Sequence, residues 1–303
     1  MQMSRLGIDI GNYAVKTSTD DIFESKVTDV RNFGSDSDSI KIGNKTYYLG
    51  EGDEEINIVK YEKENFLPLL LGAICRNTDD ETVDLGLGLP VKQFAGLKKD
   101  LIEKLQGKEY HVEFARGNET NKRDITIRSV QVFPEGITGY LHYAKDIVGQ
   151  VAGRDVVLVD IGGKTTDIAL VQGNKATDPY SINIGTINIY DAIKKSLEMD
   201  ERFLGKVEIK REKIQDYIDK GFFLNGEKQD IKKNIDASVS LFKQIYNELK
   251  LNYPISTAAV VVMGGGAKLL GEAFKKNITG IIVMSDVDKH VFANAKGYKK
   301  MMK

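Results

Sequence analysis

The sequence predicts an α/β protein built from two copies of one strand-rich unit, one in each half of the chain. Three observations predict it. Strand-like and helix-like segments alternate along the whole chain. A hydrophobic strand ending in Asp-Ile-Gly occurs twice, at Gly7-Ile8-Asp9-Ile10-Gly11 and Leu158-Val159-Asp160-Ile161-Gly162, the second copy 151 positions after the first. The 303 residues, 41% hydrophobic and 29% charged, suffice for two domains of ordinary size without a disulfide or metal staple.

Taken in order, Arg5 to Ile10 reads as a strand and Tyr13 to Thr19 as its hairpin partner, with a further extended stretch near Phe23 to Val30. The polar segment Gly34 to Asp53 carries two short strand patterns around a Gly43-Asn44 turn, a small hairpin inserted between sheet elements. Phe66 to Arg76 reads as a helix, Thr82 to Leu89 as a strand and Val91 to Leu105 as an amphipathic helix. Strands near Tyr110 to Ala115 and Asp124 to Phe133 follow, and a helix with a buried stripe from Ile137 to Val151 starts after Pro134. The pattern then restarts: a strand at Val156 to Asp160, its partner at Thr166 to Val171, and a third strand at Tyr180 to Ile184. Helices are expected near Ile187 to Leu197 and Arg211 to Lys220, and one long helix from Lys228 to Asn252, with Ile231, Ile235, Val239, Phe242, Ile245 and Leu249 on one face. Thr257 to Met263 reads as a buried strand, followed by Gly264-Gly265-Gly266, a helix to Lys276, a strand at Ile281 to Met284 and a closing helix from Lys289 to Met302. The expected division is a first lobe of residues 1–150 plus 287–303, with a small subdomain inserted at about 31–60, and a second lobe of residues 151–286.

Composition excludes several classes. Lysines and arginines number 43 against 44 acids, a formal charge of -1, so the chain carries no electrostatic footprint for nucleic acid or an anionic membrane. The lone Cys75 cannot form a disulfide within the chain and sits in an apolar helix, as expected in a reducing cytosol. His111, His142 and His290 lack metal-site spacing. No signal peptide is read at the N-terminus, and the longest apolar run, Phe66 to Cys75, contains Pro68 and is too short to span a membrane. A cytoplasmic protein is expected.

Four segments carry residue types suited to phosphate chemistry. In Asp9-Ile10-Gly11-Asn12 a bare glycine lets a phosphate approach consecutive backbone amides. Asp9 cannot bind phosphate but can hold the hydrated Mg²⁺ that neutralises it, and Lys16 on the returning strand can reach the β- and γ-phosphates. A plain hairpin with a surface aspartate fits the same residues. Asp160-Ile161-Gly162-Gly163-Lys164-Thr165-Thr166-Asp167 is the stronger signal. It is no Walker A loop, because the glycine required five places before Gly163 is Leu158, inside the strand. Gly264, Gly265 and Gly266 allow a flat base or ribose to lie against backbone; a dinucleotide fingerprint competes, but its third glycine falls at Leu269. In Phe133-Pro134-Glu135-Gly136 the acid either complements a helix dipole or faces the cleft and orients a water for attack on a γ-phosphate.

These segments occur in the order of the actin, sugar-kinase and heat-shock chaperone superfamily, whose fold is actin-like (ribonuclease H-like). Asp9 to Lys16 and Asp160 to Asp167 resemble its two phosphate motifs, Phe133 to Gly139 and Ala293 to Tyr298 its two connecting helices, and Val261 to Ala267 its adenosine motif. With the strand end at Gly86 to Val91, the chain is most similar to the plasmid-segregation actins of the ParM/StbA type. The resemblance implies a polymerising ATPase with ATP, or alternatively GTP, and Mg²⁺. Its partners would be copies of itself and an adaptor bound to centromere-like plasmid DNA, with no direct DNA or membrane contact. It implies that Glu135 and Asp160 are catalytic and that Asp9 and Asp160 organise the metal through water. It further implies that Gly11, Asn12, Lys16, Gly162, Gly163, Lys164, Thr165, Arg211, Glu212, Gly264, Gly265, Gly266 and Lys268 contact the nucleotide. Lys164 departs from the small residue usual in that turn. The rival readings are a small-molecule kinase of the same fold and a bacterial, archaeal or phage actin with no role in segregation.

Overall fold

The computed structural model describes residues 3–55, 57, 59–173, 175–286 and 290–303. In the first half the strands are β1 (Met3–Ile10), β2 (Ala14–Thr17), β3 (Ile22–Glu24), β4 (Lys26–Thr28), β5 (Ser39–Ile42), β6 (Lys45–Glu54), β7 (Thr82–Leu89), β8 (Lys108–Arg116) and β9 (Glu119–Pro134). They form one sheet in the order β3-β2-β1-β7-β9-β8-β5-β6-β4. The predicted Gly43-Asn44 hairpin is present, but it is no isolated insert: β5 pairs antiparallel with β8, so the hairpin prolongs the main sheet. Helix α1 (Phe66–Asn77), apolar over nearly its whole length, is buried against this sheet, and α2 (Val91–Leu105) buries Leu101 and Leu105.

A second sheet is built from β10 (Val156–Ile161), β11 (Thr166–Gln172), β12 (Lys175–Ile182), β15 (Ala259–Met263) and β16 (Ile282–Val283), in the order β12-β11-β10-β15-β16. β10 and β15 are parallel neighbours buried on both faces, which is why they read as continuous apolar runs. The repeat foreseen in the sequence is a repeat of topology. β1 is flanked by antiparallel β2 and parallel β7, and β10 by antiparallel β11 and parallel β15.

The remaining α-helices among the described residues are α3 (Ile137–Tyr143), α4 (Val148–Val151), α5 (Thr186–Glu198), α6 (Ile214–Lys220), α7 (Lys232–Ile235), α8 (Val239–Asn252), α9 (Ala267–Asn277) and α10 (Ala293–Met301). Two expectations need correction. The stripe from Ile137 to Val151 is not one helix, because a 3₁₀ segment at Ala144–Ile147 separates α3 from α4. The long helix from Lys228 to Asn252 is also broken. A hairpin of β13 (Phe222–Leu224) and β14 (Glu227–Gln229), turning at Asn225-Gly226, takes its start, and a 3₁₀ turn at Asp236–Ser238 divides α7 from α8. Val239, at that break, is 41% exposed, so it leaves the buried stripe. The predicted start of the last helix, Lys289, lies outside the described residues.

Helices α3 and α10 cross between the two sheets. A Cβ at Gly297 would lie 2.6 Å from the Thr138 carbonyl oxygen, and one at Gly139 would lie 2.7 Å from Asn294 Oδ1, so the crossing requires glycine on both helices. Around it Ile137, Tyr140, Met263 and Ala293 form a third apolar cluster beside the cores of the two sheets. Among the described residues, no helix is long and apolar enough to cross a membrane.

Candidate functional site

The two Asp-Ile-Gly strand ends turn in the same way. Gly11 N donates to Ala14 O at 3.1 Å, and 151 positions later Gly162 N donates to Thr165 O at 2.8 Å. Each turn is tied down. Ser25 Oγ donates to the Gly11 carbonyl at 2.6 Å, while Thr186 N and Ile187 N, opening α5, donate to the Gly162 and Gly163 carbonyls at 3.0 and 2.9 Å. Register carries the correspondence further: Asp9 stands opposite Lys16, and Asp160 opposite Asp167.

Both turns face one cleft of about 630 Å³. Its walls take Asp9, Gly11, Asn12 and Lys16 from the first sheet and Asp160, Gly162, Gly163 and Thr165 from the second. Glu135, at the end of β9, and Gly264 and Gly265, after β15, complete it. Eleven of the residues singled out from sequence therefore meet at one place.

The others lie outside that lining. Lys164 and Arg211 face a wider adjoining cavity of about 1810 Å³, which shares Asn12, Lys60, Thr165 and Asp167 with the cleft. Arg211 Nη1 is 3.5 Å from Asp191 Oδ1. Glu212 follows it in the 3₁₀ turn Arg211–Lys213, its carboxyl held below the usual range by a backbone amide and by Lys26 and Arg211. Gly266 caps α9 and packs on the Ile161 side chain, its amide donating to Ile161 O at 2.9 Å. Lys268 pairs with Asp219 at 2.6 Å, away from the cleft.

Several cleft residues escaped the sequence reading. Lys60 Nζ donates to Glu135 Oε1 at 2.7 Å and Oε2 at 2.6 Å. Asp167 was legible, since it occupies in the second copy the position of Lys16 in the first. Asn294 Oδ1 accepts from Gly136 N at 2.9 Å, tying the Glu135 segment to α10. His142 and His290, distant in sequence, both pack edge-on to Tyr143, with ring centroids 4.5 and 5.1 Å away, and His290 lines the cleft. His111 stands apart, paired with Asp124 at 2.6 Å.

The electrostatics of the cleft are those of crowded acids. Burial, then Asp167 and Asp9, push the Asp160 carboxyl up to about 6. Burial pushes Glu135 up to about 7 against the pull of Lys60, with Asp9 adding to the rise. Asp160 and Asp167 are directly opposed across β10 and β11, an arrangement unfavourable for like charges unless a cation joins them. All the donors are hard oxygens, so the set fits Mg²⁺ held largely through its own water.

The N-terminal domain of actin-like proteins matches residues 7–137, and the C-terminal domain of archaeal MreB-like actin homologues matches residues 158–276. The chain belongs to the actin-like family. An archaeal actin homolog of Thermoplasma acidophilum is 25% identical over 253 residues, 78% of this actin-like chain and 74% of that protein. The crystal structure of an archaeal actin homolog in complex with ADP superposes with a TM-score of 0.79 at 18% identity, covering 98% of both chains. A 15-stranded ParM filament from Clostridium botulinum gives a TM-score of 0.74 at 21% identity over 99% of both. The actin-like fold, a mixed α/β architecture with a large mixed sheet, is thus shared over essentially the full chain.

Proposed function

We propose that this actin-like protein binds ATP with Mg²⁺ in the cleft, hydrolyses it, and polymerises into filaments that move plasmid DNA in the cytoplasm through a DNA-bound adaptor. The observation that carries the reading is the pair of matching glycine turns facing one cavity from two sheets, with Glu135 and Asp160 between them. The amides around Gly11 and Asn12, and around Gly162, Gly163 and Thr165, cradle the phosphates, and Lys16 adds a positive charge. Asp9 and Asp160 hold the hydrated metal, and Asp167 joins them. Mg²⁺, when bound, neutralises the phosphate oxygens and polarises the terminal phosphorus. Glu135 orients the attacking water. Gly264 and Gly265 leave room for the adenosine, while Arg211 and Lys164 stand at the outer cavity where the base would emerge, with Glu212 next to Arg211 in its 3₁₀ turn; GTP would enter the same way.

The two lobes that close on the nucleotide are residues 1–150 with 287–303, and 151–286. The hairpin placed in the insert at 31–60 is then the outer part of the first lobe. A second reading, a filament with a cargo other than a plasmid, draws support from the likeness to archaeal actin homologs.

Light scattering at micromolar protein separates the outcomes. ATP with Mg²⁺ is expected to give a rise that reverses as phosphate is released. Turnover that requires an added sugar or acid, with no scattering change, would point instead to a small-molecule kinase.

A further inference from the structure

We propose that Lys60 is the positioning residue for Glu135, its ammonium fixing the carboxylate in the orientation that hydrolysis needs; this rests on the reading of the cleft given above. Lys60 donates to both carboxylate oxygens, at 2.7 and 2.6 Å, and the two side chains are 13% and 9% exposed. A carboxylate oxygen has two lone pairs. The clamp occupies one on each oxygen and leaves the other to hold a water, so it orients Glu135 without blocking it.

The segment that delivers Lys60 is itself held. It is the first residue of a 3₁₀ turn, Lys60–Glu62. Tyr61 is buried edge-on to Phe66 at 6.5 Å, and its carbonyl accepts from Lys104 Nζ at 2.6 Å. Lys63, the extended residue that ends the turn, donates from its Nζ to Asn12 Oδ1, in the first glycine turn, at 2.6 Å. Beyond it the amides of Glu64 and Asn65 donate to the Glu55 carboxylate at 2.9 and 3.0 Å. One short segment, Lys60 to Lys63, thus touches both the first phosphate-facing loop and the Glu135 carboxylate.

The surroundings explain why a cation is wanted there. Asp9 and Asp167 face Glu135 from β1 and β11, and Asp160 lies against Gly136. Beneath, the Tyr298 hydroxyl of α10 is buried with no hydrogen-bond partner among the described residues, and it packs where a Cβ at Gly88 would also meet Glu135 Cγ. Lys16 is directed to Asp9 at 3.8 Å. Lys60 is the cation placed to align Glu135 among these acids.

The test compares steady-state ATP turnover and affinity for a fluorescent ATP analogue in wild type, Lys60→Met, Lys60→Arg, Glu135→Gln and the Lys60→Met/Glu135→Gln double variant. Lys60→Met is expected to lower kcat by about 10- to 100-fold, the scale of a misplaced catalytic group, with nucleotide affinity unchanged. Lys60→Arg should recover part of the loss, and the double variant should be no slower than Glu135→Gln. Unchanged kcat in Lys60→Met, a parallel loss of affinity, or losses that multiply in the double variant would each overturn the proposal. If thermal melting finds Lys60→Met unfolded, Lys60→Arg alone and combined with Glu135→Gln decides by the same non-additivity. A wild-type chain without ATP turnover removes the proposed function and this inference together; turnover insensitive to Lys60 removes the inference alone.

Discussion

Gly163 of the second turn lies against Tyr13 of the first: a Cβ on the glycine would stand 2.8 Å from Tyr13 Cβ and 3.2 Å from its backbone nitrogen. The two turns touch at a point where only a hydrogen fits. Gly163→Ala should force them apart while leaving both sheets intact. The expected outcome is a loss of nucleotide affinity of about tenfold or more, roughly 1.4 kcal/mol, with the melting temperature nearly unchanged. Titration with a fluorescent ATP analogue beside a thermal melt reads both.

Glu135→Gln keeps the shape and removes the charge. Binding should persist while turnover falls by about 10²-fold or more, the scale of a lost water-orienting base. The sign of the pH dependence follows from burial, which pushes Glu135 up to about 7. The ionised form orients water, so the wild-type rate should rise with pH through about 7 and then level off. Single-turnover phosphate release across pH 5.5 to 8.5 checks this, and a flat profile would contradict it.

Asp160→Asn should abolish Mg²⁺-dependent hydrolysis, as should chelation of the metal in wild type. The same substitution should stabilise the nucleotide-free protein. The Asp160 carboxyl is pushed up to about 6 by burial and by its acidic neighbours. For an acid raised in the folded state, ionisation costs stability. That cost is absent below the unfolded value near 4, grows as pH rises to about 6, and is then constant, on the order of 3 kcal/mol at most. The melting difference between variant and wild type should open over that window, and a difference independent of pH would count against it.

Cys75 offers a control remote from the cleft. The thiol is buried, and burial lifts it to about 11. It should therefore resist a thiolate-selective reagent at pH 8 in native protein and react at once in denaturant. Rapid labelling of native protein would mean that α1 opens far more readily than its packing implies.

Much of this was legible in the sequence because repetition and backbone chemistry leave local marks. The Asp-Ile-Gly copies predicted two equivalent strand turns, and the structure gives both the same closing hydrogen bond. The single helix expected from Lys228 to Asn252 failed for a physical reason. A stripe spaced three and four residues apart runs almost unchanged through a 3₁₀ turn, so Asp236–Ser238 leaves no trace in the pattern. The hairpin before it did have a signal, since Asn225-Gly226 is a strong two-residue turn. Lys60 had none: it reaches Glu135 from 75 positions away, through a loop whose path is set by long-range contacts such as the packing of Tyr61 on Phe66.

Backbone contact at Gly139 and Gly297 has a mechanical consequence. Helices α3 and α10 that touch main chain to main chain cannot slide lengthwise without collision, but they can still swivel. A side chain at either glycine would wedge the two helices apart, so the spacing of the sheets they join is fixed by two missing methyl groups.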